Sequence, residues 1–213
     1  LLGIAMETIM LPKTEIGWLV NDTAFKKPEA AAYENFRLQD YLGTYCEGSA
    51  VLMLMKCACL DYLAEINFFK SRDDACLRYM EAQCHIASDK SDRILAEILA
   101  ANAQSIRANF MEIRSKPSYL AGYPEMDADA LLAVWQSLSR PQWTQIVRTF
   151  LMDPYKYRAG WPDLMVTRGQ EIRFVEVKTT DKLHASQKAV IEDVLLPASF
   201  SVSVLQLKPS KKP

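Results

Sequence analysis

The segment RAGWPDLMVTRGQEIRFVEVKTT (158–180) places two carboxylates and a lysine where they could act together. Gly169-Gln170 suits a type II′ hairpin turn, and closing the chain there sets Asp163 opposite Glu176 on two antiparallel strands. Because side chains alternate along a strand, Asp163, Glu176 and Lys178 are expected on one face of the sheet.

Two facing carboxylates repel each other unless a cation lies between them. Mg²⁺ in proteins typically binds one or two carboxylates together with phosphate oxygens and water. Lys178, one strand step beyond Glu176, could hold an attacking water or stabilise charge that develops on a phosphate. The pattern predicts metal-assisted phosphodiester hydrolysis. The alternative is a surface ion-pair cluster, which the apolar stretches DLMV and FVEV around the acids disfavour.

A third acid, Glu47, begins a predicted helix and lies on the same side as its apolar stripe, which includes Val51, Leu54 and Met55. A carboxylate on that stripe would need a cationic partner and could belong to the same site. An ordinary first-turn acid, favoured by the helix dipole, explains the position equally well. The spacing alone leaves both interpretations open.

Hydrophobic periodicity predicts helices up to about residue 152 and a change of pattern after it. The predicted helices are 28–42, 47–66, 72–84, 88–113 and two that begin after Asp127 and after Ser139; strands at 163–167 and 172–178, a helix at 185–196 and a strand at 199–207 follow. This order predicts an α/β (α+β) fold in which a mixed sheet is covered by a large N-terminal helical layer.

Composition limits the class of protein. With 213 residues and 50% hydrophobic content, the chain can bury one good core. Its longest apolar run, 49–60, contains Lys56 and is shorter than the roughly 20 residues of a membrane span, so no membrane association is expected. Five cysteines, an odd number, favour free thiols and a cytoplasmic site of action. A start at Leu1 without a signal-peptide pattern suggests a piece of a longer protein.

Charge divides unevenly along the chain. Residues 1–150 hold 15 Lys and Arg against 19 Asp and Glu, whereas residues 151–213 hold 10 against 7. A weakly basic C-terminal part is compatible with a phosphate-rich partner.

Three motifs, GWPDL, FVEVK and DKLHASQ, resemble the signature of VRR-NUC nucleases, a branch of the PD-(D/E)xK phosphodiesterases. The segment EGSAVLMLMKCACLDYL is similar to the corresponding region of the Fanconi-associated nuclease catalytic domain. The resemblance implies a nuclease domain at 46–213, with a helical insert at about 66–155, behind an N-terminal helical extension at 1–45.

The resemblance also implies an activity, a cofactor and roles for single residues. It implies a Mg²⁺- or Mn²⁺-dependent DNA nuclease, often one that prefers branched or flapped DNA. The implied metal ligands are Glu47, Asp163, Glu176 and the carbonyl of Val177; Lys178 is the implied catalytic lysine, Gln187 lies beside the site, and Lys182, His184 and Lys188 are candidate DNA contacts.

Three biological roles are compatible with such a module. One is the toxic end of a secreted antibacterial effector, whose producing cell needs an immunity protein that covers the metal face and is acidic opposite Lys178, Lys182 and Lys188. A second is a DNA-repair nuclease that acts in its own cell. The third is a catalytically inactive relative that binds DNA or protein.

Overall fold

The structure is a computed structural model, and it describes residues 4–46, 48–116, 126–180 and 182–210. Helices dominate the middle of the chain, as predicted. They are α1 (Pro28–Arg37), α2 (Ser49–Ile66), α3 (Arg72–Leu77), α4 (Met80–Ile86), α5 (Ser91–Ala100), α6 (Ala103–Arg114), α7 (Ala128–Ser137), α8 (Arg140–Met152) and α9 (Ala185–Val190), which continues as a π-helical turn, Ile191–Leu195.

The described residues also form seven strands: β1 (Ile4–Pro12), β2 (Trp18–Val20), β3 (Thr23–Phe25), β4 (Leu42–Thr44), β5 (Leu164–Arg168), β6 (Glu171–Lys178) and β7 (Ser201–Ser210). Five form one sheet in the order β1-β7-β6-β5-β4, and β2 with β3 forms a separate hairpin. β7 runs parallel to both β1 and β6, whereas β5 is antiparallel to β6 and to β4. The predicted α/β (α+β) class with a mixed sheet is confirmed.

The prediction of a helical extension over residues 1–45 is wrong in its secondary structure. β1 is an edge strand of the main sheet, β4 is the opposite edge, and α1 is the one helix of the described residues before position 46. The strand β1 exists because it pairs with β7, and the two strands are separated by nearly the whole chain. Periodicity within a short window cannot report such a distant partner.

The sheet has a hydrophobic core on each face. On one face the helical layer packs over β6 and β7 through residues such as Phe174 and Val202. On the other face α1 and the β2–β3 hairpin cover Val175, Val177 and Leu205. Burial on both faces accounts for the apolar character of β5 and β6.

The helices of the insert region are shorter than predicted because local breaks divide them. Arg78 has extended backbone angles and separates α3 from α4. Asn102 separates α5 from α6, since its side chain accepts the backbone N–H of Ser105 and caps α6. Asp127 and Ser139 cap α7 and α8 at the predicted starts.

Helix α2 is buried on almost all sides, and it includes a lysine. Lys56 is fully buried, and its ammonium donates to the carbonyl oxygens of Cys76 and Arg78, the latter at 2.8 Å. Burial lowers the pKa of Lys56 to about 8. Those two carbonyls close α3, so the lysine joins α2 to the end of the next helix.

The five cysteines are free and buried, as the sequence predicts. No helix among the described residues combines the length and the apolar character that crossing a membrane requires.

Candidate active site

The hairpin β5–β6 has the predicted register. Leu164 pairs with Val175 and Arg168 with Glu171, so the turn is Gly169-Gln170, where Gly169 has φ +63°. A side chain at that position would be strained, which explains the glycine. One step before β5, Asp163 therefore lies opposite Glu176.

Asp163 and Glu176 lie opposite each other at the open end of this hairpin, away from the turn. Oδ2 of Asp163 accepts the backbone N–H of Val177 at 2.7 Å, which fixes the carboxylate against β6. Glu176 is 1% exposed, and it lies two residues after Phe174 on β6, on the face that the helical layer covers. Two acids are therefore held side by side in a poorly hydrated place.

Two side chains hold one oxygen of Glu176. Lys178 Nζ lies 2.8 Å from Oε1, and Gln187 Nε2 donates to the same oxygen at 2.5 Å. The other oxygen, Oε2, is buried without a hydrogen-bond partner among the described residues. A buried carboxylate oxygen without a donor is costly, and a cation beside it would lower that cost.

The electrostatics of the pair agree with its burial. Burial and then the neighbouring charge of Glu176 raise the pKa of Asp163 to about 8, against the opposing effect of the Val177 N–H bond. Burial also raises the pKa of Glu176, and Lys178, Gln187 and the backbone N–H of Asp163 oppose that rise. A cation nearby would lower both pKa values. Shifted pKa values of this kind are common at functional sites.

Gln187 reaches Glu176 because the GWPD segment packs against the first turn of α9. Gly160 has φ +91°, and a Cβ at this position would come within 2.4 Å of the Ser186 backbone. Trp161 donates from Nε1 to the carbonyl of Tyr157 at 2.7 Å, which anchors the chain just before Asp163. Gln187 Oε1 also accepts the His184 N–H at 2.9 Å. This bond orients the side-chain amide of Gln187 at the start of α9.

Lys182, His184 and Lys188 are exposed around the start of α9, and neither lysine forms an ion pair among the described residues. The backbone N–H of Val177 is bound to Asp163, and the metal contact of its carbonyl stays a prediction. Glu47 lies outside the described residues, so its role stays a prediction too.

One acid near the site was missed in the sequence. Glu29, in the first turn of α1, is close enough for its charge to contribute to the raised pKa of Asp163. In the sequence it follows Pro28 at a helix start, where an acid is common because of the helix dipole. No local signal distinguishes it from an ordinary first-turn acid.

The described residues contain no cluster of three or more His, Cys, Asp and Glu side chains arranged to hold a metal ion. Within that part of the chain, Asp163 and Glu176 are thus two carboxylates without a third acid arranged beside them.

The antiparallel hairpin, the facing Asp and Glu and the nearby Lys are the arrangement of PD-(D/E)xK phosphodiesterases. The profile of the VRR-NUC domain matches residues 101–208, about half of the chain. The chain therefore belongs to the VRR-NUC family of nuclease domains. No curated protein sequence matches it.

Solved structures with the same fold include two crystal structures of paFAN1, bound to DNA with a gap and a 5′ flap of 2 or 1 nucleotides. Both have a TM-score of 0.65 and 16% sequence identity, and they cover 99% and 98% of this chain. The chain spans only 38% of the length of paFAN1. At this identity the likeness concerns the fold.

Proposed function

We propose that this chain is a divalent-metal-dependent DNA nuclease. The observation that carries the proposal is the buried carboxylate of Glu176, which pairs with Asp163 across the hairpin. Lys178 and Gln187 hold one of its oxygens, and the other has no hydrogen-bond partner among the described residues. A site with this charge arrangement is suited to a cation and a phosphate rather than to a neutral ligand.

The donor set fits Mg²⁺ or Mn²⁺. Both acids offer hard oxygen ligands, and Mg²⁺ commonly binds through one or two carboxylates while substrate phosphate and water fill the other positions. Asp163 and Glu176 would hold the ion, with Glu47 as the proposed third acid. PD-(D/E)xK nucleases generally use divalent metals, which supports the assignment.

Each side chain has a distinct part in the proposed reaction. When bound, the cation supplies positive charge against the scissile phosphate and activates water. Lys178 provides a second positive charge, which stabilises the charge that develops on the phosphate oxygens. Gln187 fixes the orientation of Glu176, and the Val177 N–H fixes that of Asp163. Gln187 is therefore a positioning residue.

DNA is the proposed substrate because of the family and the charge around the site. The exposed Lys182, His184 and Lys188 surround the helix start beside Glu176, where they could contact phosphates. The paFAN1 crystal structures with the same fold contain flapped DNA. Selectivity for such branched substrates is part of the proposal.

The test is cleavage of plasmid and of 5′-flapped DNA with Mg²⁺, with Mn²⁺ or with chelator. We expect cleavage with either metal, none with chelator, and none for Glu176→Gln or Lys178→Ala. Glu171→Gln is the matched control, because Glu171 lies on the same strand but binds Tyr41 and Arg168 at the far end of the hairpin.

Absence of cleavage by the unaltered protein with both metals would contradict the proposal. DNA binding without cleavage would favour the catalytically inactive relative instead.

A further inference from the structure

An uncovered part of the sheet lies directly beside the proposed catalytic lysine. In the strand register, Lys178 of β6 pairs with Gln206 of β7, and Gln206 pairs with Thr8 of β1. Neighbouring strands lie about 4.8 Å apart, so the backbone at Gln206 is about 5 Å and that at Thr8 about 10 Å from the backbone of Lys178. Paired residues share a face, so all three side chains are on the active-site face.

The same face continues along the two strands. Lys208 of β7 pairs with Met10 of β1, and Lys208 is two residues, about 7 Å, beyond Gln206. We call Thr8, Gln206 and Lys208 the edge strip. Thr8 and Lys208 are exposed and Gln206 is half-buried.

The helical layer leaves the edge strip open to solvent. Towards the start of β1 and β7, Ile4 and Val202 are covered by the main core, whereas Met6 is 71% and Met10 is 55% exposed. Among the described residues, no side chain of the edge strip has a hydrogen bond or an ion pair. Two neutral hydrogen-bonding groups and one cation are thus available for a ligand.

The charge of this surface favours a polyanion. On the active-site face, β1 and β7 present no carboxylate. The one acid of β1, Glu7, is on the opposite face, where Arg173 of β6 binds it. Lys208 is therefore a cation without a neighbouring acid on its own face of these strands.

We propose that the edge strip binds the phosphodiester backbone of the DNA strand next to the scissile bond. The proposal rests on the proposed function, because the strip is continuous with the site of Lys178 and Glu176. Lys, Thr and Gln side chains are common phosphate contacts in protein–DNA complexes. Met6 and Met10 flank the strip with flexible apolar surface that suits sugar rings.

The strip acts on binding rather than on the chemical step. Phosphate contacts set affinity and position and make binding depend on salt. Loss of Lys208 should therefore raise the KM for DNA more than it lowers kcat.

The experiment compares Lys208→Gln with Lys70→Gln, two variants with the same change in charge. Lys70 follows the C-terminal end of α2, whose 18 residues place it up to about 27 Å from the end that contacts Trp161 through Gly48. Binding of a fluorescent single-stranded DNA is followed by anisotropy in chelator, at several salt concentrations. One lost phosphate contact should reduce the slope of log K against log salt by about 0.7 and weaken binding roughly threefold to tenfold.

Three outcomes decide the proposal. The proposal is supported if Lys208→Gln, but not Lys70→Gln, reduces the salt dependence of binding and raises the KM in cleavage. Thr8→Val and Gln206→Met should then cause smaller losses of affinity. If the unaltered protein cleaves DNA and both variants match its salt dependence and its KM, the proposed role of the edge strip in DNA binding is wrong. The proposed function would stay intact. A concentration-dependent dimer lost on Lys208→Gln would also overturn the role of the edge strip, because the edge would then pair two copies of the chain.

Discussion

Replacing Asp163 with Asn should stabilise the metal-free protein in a pH-dependent way. The amide keeps an oxygen for the Val177 N–H but cannot ionise. The pKa of Asp163 is about 8 in the folded protein and near 3.8 in an unfolded chain. An acid with a raised folded-state pKa contributes stability that is complete below about pH 4 and is lost as the pH rises to about 8. The variant avoids this loss.

The magnitude follows from the difference between the two pKa values. A difference of about four corresponds to an upper limit of about 5–6 kcal/mol in the free energy of unfolding, reached above about pH 8. Urea unfolding in chelator, from about pH 5 to about pH 9, measures it. The advantage of Asp163→Asn over the unaltered protein should grow by up to about 1.4 kcal/mol per pH unit and then level off.

A matched control and a metal titration sharpen the measurement. Asp153 also accepts a backbone N–H bond, from Lys156, but it is exposed, so Asp153→Asn makes the same chemical change without relieving the burial of a carboxylate and serves as the control. Mn²⁺ at about a hundred times its Kd should add about 2.7 kcal/mol to the unaltered protein and much less to Asp163→Asn. A pH-independent difference for Asp163→Asn would refute the reasoning.

The remaining predictions concern activity, stability and biological role. Glu47→Ala should reduce cleavage severely. If this variant keeps full activity, Glu47 is not part of the site and the helix dipole alone explains an acid at this position. Gly160→Ala should displace the first turn of α9 and misplace Gln187, lowering kcat by about 100-fold at a smaller change in KM. Lys56→Met should lower the free energy of unfolding in urea by about 1–3 kcal/mol, because two carbonyls lose their donor; an unchanged value would contradict this. In a bacterial cytoplasm, a toxin should arrest growth and break the chromosome, whereas Glu176→Ala should not; harmless expression of active enzyme would favour a repair role.

The hairpin and its acids could be predicted from the sequence because the information is local. The glycine at the turn determines the register, and the register places Asp163 opposite Glu176. Side chains alternate in direction along each strand, so both acids lie on the same face. The caps of α7 and α8 were predictable for the same reason, since Asp127 and Ser139 act on the next turn of chain.

The features that escaped prediction depend on partners distant in the sequence. The strand β1 forms against β7, and no property of residues 4–12 alone specifies that pairing. Glu29 comes near Asp163 only because α1 packs against the sheet. The position of Gln187 beside the site followed from the family resemblance, and its contact with Glu176 depends on how α9 packs against β6.

The pairing of β1 with β7 has a consequence for how the chain folds. β1 can pair only after β7 has formed, so the sheet is incomplete until nearly the whole chain has been synthesised. Until then the outer edge of β7 has no neighbour and could pair with another molecule. A fragment that begins at residue 46 would keep this exposed edge permanently, so we expect it to aggregate even with Asp163, Glu176 and Lys178 present.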